Sequence, residues 1–341
     1  MTIPIIDARA LRNGTPVERA AFAKELLTGL TNYGFVKLIN HSVPVEEVQA
    51  VFDAVTKFFR LPFDVKKDIR NDPGQSQQRG WSVVGEEKTW WLESNKGDVI
   101  APEFSDNKES FDCGDPADKQ YPNKWPAEKE LPGYQHLMES FFRDCGALCV
   151  QLLQELATAM QLDPALFSSR CTNEASTIRI NHFPPIERSK LDTGKISRIW
   201  PHNDFGIISL VFPDKTPGLE YEDRENPGNF IPVPYGSKDE VVVIASETLQ
   251  RWTNGGMRAG LHQVTKPKGL ASDVVPERWS LVYFCKADRH VDVGPLPEFI
   301  AQDQKPLYQH LSALEYQDMR NAAHYPRLAA PVATEQIAQD A

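Results

Sequence analysis

Little in this 341-residue chain points to the extracellular space, a membrane or a nucleic acid. Its five cysteines are odd in number and form no Cys-x-x-Cys pair, which excludes a disulfide framework and a cysteine-built zinc clip. Cys145 and Cys149, one helical turn apart, read as one buried face, and free thiols imply a reducing compartment. The opening MTIPIIDARA has neither a basic start nor an apolar stretch, so no signal peptide is expected and a cytoplasmic location is. No run approaches the ~18 apolar residues of a membrane span. Basic excess is also missing: 37 Lys and Arg against 47 Asp and Glu leave a net charge of -10, which argues against nucleic-acid and acidic-membrane partners. There are no internal repeats and no low-complexity tracts.

What remains is a globular composition, 41% hydrophobic and 25% charged, with ample material for a core. The length permits two parts, 1–130 and 131–341, although barrels of this size often form one compact unit. Ile3 to Ile6 reads as a short strand. Thr15, Pro16 and Glu18 form a capping box that starts a helix with Phe22, Leu26, Leu27 and Leu30 on one side. Tyr33 to Ile39 reads as a strand after a glycine turn, and a second helix starts near Pro44 and ends at Leu61-Pro62. Residues 71–133, rich in Gly, Pro, Asp, Asn and Lys and interrupted by Trp81, Trp90, Trp91 and Phe104, read as one long loop, a lid or substrate wall. Residues 134–160 carry Leu137, Phe141, Cys145, Leu148, Leu152 and Leu156 at helical spacing. Beyond 175, short strands alternate with Pro and Gly turns: 177–183, 206–212, 241–245 and 279–285, the pattern of a sandwich or barrel. The tail after about 327 has no placeable pattern beyond a frayed end or a crossing helix.

The polar constellation lies in that β-rich half. His202 and Asp204 are two apart, so on a strand an imidazole and a carboxylate face the same way, and His262 offers a third ligand. Two histidines and one carboxylate leave three positions of an octahedral ion open, which suits non-haem iron(II) chemistry. An isolated His-x-Asp is weak evidence; its context strengthens it. Arg278 and Ser280, again two apart and followed by the apolar Leu281 to Phe284, make a receptor for a carboxylate.

The motifs Ile3-Pro4-Ile5-Ile6-Asp7, Tyr33-Gly34-Phe35 with Asn40-His41, Arg79-Gly80-Trp81 and Asp106 to Asp112 occur in the first half. Arg179-Ile180-Asn181-His182-Phe183-Pro184-Pro185, His202-Asn203-Asp204-Phe205-Gly206 and Gln250 to Gly255 follow in the second. In that order, over roughly residues 3–310, they resemble the 2-oxoglutarate- and iron(II)-dependent dioxygenases of the isopenicillin N synthase-like family, and the loop around Pro276-Glu277-Arg278 is similar to its fungal members. The resemblance implies a mainly β fold, a distorted double-stranded β-helix (jelly roll) flanked by helices. It implies iron at His202, Asp204 and His262, the distal carboxylate of 2-oxoglutarate at Arg278 and Ser280, and Asn181 near its other end. Three departures stand out. The family's two tyrosines after the asparagine are His182 and Phe183, its Gly-Asp before Leu-Gln is Ser246-Glu247, and the interval from His262 to Arg278 is wider than in plant members. His182 is expected as a polar wall of the co-substrate region.

The function so implied is oxidation of a small organic metabolite by iron(II), 2-oxoglutarate and dioxygen: hydroxylation, desaturation or ring rearrangement, a tailoring step in secondary metabolism. Trp81, the Trp90-Trp91 loop, Phe205, Leu219 and Tyr221 are candidates for the substrate pocket, Arg198 for a substrate carboxylate or phenolate, and the aromatics favour a flat or hydrophobic substrate. Competing readings are a same-fold oxidase that needs no 2-oxoglutarate, a non-catalytic metabolite-binding protein, and a hydrolytic zinc enzyme, which leaves the Arg/Ser pair without a purpose. The substrate and the oligomeric state are not written in the sequence.

Overall fold

The computed structural model describes residues 2–72, 78–87 and 105–324. Trp90, Trp91, Phe104 and the tail after 327 lie outside the described residues.

The capping box forms as the sequence dictates. Thr15 Oγ1 accepts from the Glu18 amide, the Glu18 carboxylate accepts from the Thr15 amide, and the helix Pro16–Tyr33 follows. Such a cap stabilises a helix by about 1 kcal/mol. Gly34, at φ 79°, ends that helix in the left-handed region that glycine tolerates, and turns the chain into the strand Phe35–Ile39. The helices Val45–Phe59 and Tyr134–Ala159 bury their apolar stripes.

Eight strands form one sheet, in the order Ile5–Asp7, Phe35–Ile39, Val241–Ala245, Ile208–Pro213, Arg278–Cys285, Thr177–Phe183, Glu109–Gly114, Gly80–Ser82. Strands from both halves of the chain are therefore neighbours in a single sheet. A second sheet, Phe230–Pro232, Leu219–Glu222, His262–Val264, Ile199–His202, faces the central strands and completes the jelly roll. Alternation of side chains divides the large sheet. One face packs on the helices through Phe58, Phe111, Phe141 and Leu152; the other packs on the small sheet through Phe35, Phe183, Val211, Val264 and Val282. Phe141 is fully buried, and cutting it to alanine costs about 3–5 kcal/mol.

The long loop expected over 71–133 is corrected. Gly80–Ser82 and Glu109–Gly114 are sheet strands, and Glu109–Gly114 lies directly beside Thr177–Phe183. The sequence hides this strand because Glu109, Ser110 and Asp112 are polar yet buried.

Candidate active site

The strands Ile199–His202 and His262–Val264 run antiparallel and place His202 opposite His262, with a register irregularity just beyond the pair. The strand ends at His202, so Asp204 approaches from the loop after it rather than from the strand itself. That loop turns tightly into Ile208–Pro213. A Cβ on Gly206 would lie 2.4 Å from the Cys285 carbonyl oxygen, so only glycine passes there. The Asp204 carbonyl accepts from the Glu247 amide at 2.8 Å, which anchors the turn.

Asp204 Oδ1 lies 3.7 Å from His202 Nε2 and 3.9 Å from His262 Nε2. Both Nδ1 atoms are committed to backbone carbonyls, His202 to Trp200 at 2.8 Å and His262 to Gly260 at 3.0 Å. This fixes the tautomer in which each Nε2 presents its lone pair inward. Asp204 Oδ2 is buried and has no hydrogen-bond partner among the described residues. Burial, with His262 beside it, holds the His202 imidazole well below its usual pKa and so neutral. One ligand atom from each residue falls within 4.8 Å of the others, a donor set of two imidazoles and a carboxylate that suits iron(II).

The site opens into a cavity of about 1030 Å³, its open mouth included. Alternate residues of Arg278–Cys285 and of Thr177–Phe183 line it: Arg278, Ser280, Val282 and Phe284 from one, Thr177, Arg179 and Asn181 from the other. Arg278 is buried, and its Nε and Nη1 have no hydrogen-bond partner among the described residues. Asp214 lies near it, but its carboxylate accepts from the Trp279 and Thr216 amides. Burial lowers the Arg278 pKa and Asp214 opposes that. Asn181 Nδ2 meets Ser280 Oγ at 3.4 Å, and Asn181 Oδ1 is without a partner. A buried guanidinium with idle donors is costly unless an anion completes it.

Of the substrate candidates, Phe205 and Leu219 line the cavity and three others do not. Trp81 sits on the helix side of the sheet, its Nε1 donating to Glu109 Oε2 at 2.7 Å, because its position in Gly80–Ser82 alternates away from the jelly-roll interior. Tyr221 is buried against Phe35, ring centroids 5.4 Å apart. Arg198 is fully buried and donates to the Pro276 carbonyl; its guanidinium carbon lies 5.7 Å from the Phe183 ring centroid, and that of Arg278 lies 5.2 Å from it. Burial, with Arg278 nearby, brings the Arg198 pKa down to about 10.

His182 is also corrected. It lies between Asn181 and Phe183 on the opposite face, stacked 3.9 Å from Trp279, with Nδ1 2.7 Å from Glu109 Oε1 and Nε2 2.9 Å from Glu277 Oε1.

The cavity is more polar than the aromatic content implies. Lys108, Asp112, Arg179, Lys286, Gln317 and Asn321 line it. Gln317 and Asn321 come from the helix Ala313–His324, which the sequence reading missed. Its signal was available: Ser312 and Glu315 cap each other reciprocally.

A jelly roll with two histidines and a carboxylate converging beside a buried arginine–serine pair defines a class, the non-haem iron oxygenases. Residues 3–128 match the family model described as the non-haem dioxygenase in morphine synthesis N-terminal region, and residues 174–287 match that of the 2OG-Fe(II) oxygenase superfamily. The 2-oxoglutarate-dependent dioxygenase ecdK of Aspergillus rugulosus is 42% identical over 334 residues, spanning 95% of this chain and 100% of that protein. The 2-oxoglutarate-dependent dioxygenase ucsF of Acremonium sp is 40% identical over 337 residues, with 95% and 100% covered. Among solved structures, a full-length Neurospora crassa protein crystallised in complex with alpha-KG superposes with a TM-score of 0.84 at 29% identity, covering 94% of this chain and 96% of that one. The chain belongs to the 2OG-Fe(II) oxygenase superfamily. It is a 2-oxoglutarate-dependent dioxygenase, with iron(II), 2-oxoglutarate and dioxygen as its cofactor and co-substrates. No helix among the described residues is long and apolar enough to cross a membrane.

Proposed function

We propose that His202, Asp204 and His262 hold the iron, that Arg278, Ser280 and Asn181 hold 2-oxoglutarate, and that the polar remainder of the cavity receives a small metabolite in a tailoring step of secondary metabolism. The observation that carries this reading is a coincidence of idle polar atoms: two inward Nε2 atoms, Asp204 Oδ2 and two Arg278 nitrogens open to one cavity or border it.

Bound together, iron(II), 2-oxoglutarate and dioxygen supply an oxidant for an unactivated C–H bond, leaving succinate and carbon dioxide. The protein's part is placement. Arg278 grips a carboxylate with two parallel N–H donors, and Ser280 adds a hydroxyl to the same group. Phe183 stands where the family usually has a tyrosine, so no phenol shares that task. Ile199, Val211, Leu219, Val264 and Val282 keep water from the metal side of the cavity. Phe205 and Phe284 flank the remaining space and confine the substrate so that one carbon faces the metal. Whether hydroxylation, desaturation or ring rearrangement follows depends on that placement.

The test is an anaerobic titration of the full chain with iron(II) and then 2-oxoglutarate. A visible charge-transfer band on the second addition supports the assignment; its absence sinks it.

A further inference from the structure

The strand Arg278–Cys285 does more than present Arg278 and Ser280. Its inward row continues through Val282 and Phe284 to Lys286, the residue after its end, and all five side chains line the cavity. Arg278 and Lys286 thus stand at opposite ends of one row, about eight positions or roughly 26 Å of strand apart.

The cations of the cavity are not equivalent. Lys108 is paired with Glu87, and Arg179 with both Asp112 (2.8 Å) and Glu87 (3.0 Å). Lys286 meets no carboxylate within ion-pair reach among the described residues. Its Nζ has two neutral contacts at the limit of hydrogen bonding, Thr177 Oγ1 and Gln317 Oε1, each at 3.4 Å, and lies 5.9 Å from the Phe284 ring centroid. An ammonium drawn from water and left without a carboxylate in contact is costly unless a ligand supplies an anion. One ammonium flanked by a hydroxyl and a carboxamide fits a monovalent, planar anion; a phosphate dianion calls for more cationic charge.

We propose that Lys286 is the docking point for a carboxylate on the substrate, so that this enzyme acts on carboxylic acids held at the opposite end of the row from 2-oxoglutarate. This rests on the cavity being the substrate site. Two anions then bind one cavity without competing, the co-substrate at Arg278 and the substrate at Lys286, with Val282 and Phe284 between them. Thr177 and Gln317 complete the second station, and Gln317 ties it to the helix Ala313–His324.

The experiment is calorimetry on the anaerobic, iron-loaded full chain saturated with 2-oxoglutarate, which occupies the Arg278 end. The probes are butyrate, hexanoate, phenylacetate and indole-3-acetate, each beside its primary amide. In the wild type at least one acid binds tenfold or more tighter than its amide. Lys286→Arg keeps that preference. Lys286→Gln loses it, by a factor on the order of tenfold to hundredfold, the range for a hydrogen bond to a charged group. Equal binding of acids and amides, no binding of any of the four acids, or a preference that survives in Lys286→Gln would each overturn the proposal. A wild type that gives no heat with 2-oxoglutarate overturns the co-substrate assignment instead, and the acid-to-amide ratio on the iron-loaded protein still decides Lys286.

Discussion

His202 faces His262 across two antiparallel strands, their ring centroids 4.2 Å apart, and both reach toward the same oxygen of Asp204. Burial, with His262 beside it, already holds the His202 imidazole neutral. A divalent cation suits the pair better than a proton does. His202→Ala is therefore expected to keep the fold and lose the metal. Iron per chain, measured by elemental analysis with circular dichroism as the folding control, should fall by more than the ~10–100-fold affinity loss typical of removing an outer-shell partner. A variant that retains stoichiometric iron would remove His202 from the site.

The co-substrate station predicts an asymmetry between two conservative changes. Arg278→Lys keeps the charge and loses the fork geometry; Ser280→Ala removes one hydroxyl. The KM for 2-oxoglutarate should rise about tenfold or more in Arg278→Lys and by less in Ser280→Ala, each hydrogen bond to a charged group contributing about 1.5–3 kcal/mol. Unchanged KM values in both would separate this pair from the co-substrate.

His182 should behave as a structural residue. Its ring is stacked on Trp279 and bridges Glu109 and Glu277 on the face away from the cavity. His182→Ala is expected to lower stability by about 1–3 kcal/mol in chemical denaturation while leaving the KM for 2-oxoglutarate unchanged. A rise in that KM without a loss of stability would return His182 to the cavity wall.

Much of the fold could be read because local chemistry and burial agree in it. The Thr15 cap, the left-handed Gly34 turn, the apolar strand Val241–Ala245 and the alternating strand Thr177–Phe183 lie where propensity and periodicity put them. The reading failed where buried residues are polar. Glu109–Gly114 buries Glu109 on the helix side against Lys66 and His182, and Asp112 on the cavity side against Arg179, so no apolar alternation marks the strand. His182 could have been placed by the period of two alone: once Arg179 and Asn181 face the cavity, His182 faces away. Lys286 follows the same rule from Arg278 and Ser280, but that its closest polar contacts are Thr177 and Gln317, with no carboxylate within ion-pair reach among the described residues, is a three-dimensional fact that no spacing encodes.

Lys286 also sets a pH dependence. Burial, reinforced by Arg79, Arg179 and Arg289 and opposed by Asp112, brings its pKa down to about 7. The ammonium is thus present below about pH 7 and lost above it. Binding of a carboxylate probe should be strongest below that pH and weaken toward tenfold per unit above it, while binding of the matching amide stays flat. Calorimetry from about pH 6 to pH 9 reads both; an acid affinity that rises with pH would contradict the assignment.

The central claim, one iron held by His202, Asp204 and His262 with 2-oxoglutarate beside it, is tested most directly by anaerobic visible titration of the wild type and Asp204→Ala. The wild type should bind one iron(II) per chain and develop the charge-transfer band with one equivalent of 2-oxoglutarate, and Asp204→Ala, folded by circular dichroism, should not. No band in the wild type, or an unchanged band in Asp204→Ala, would contradict it.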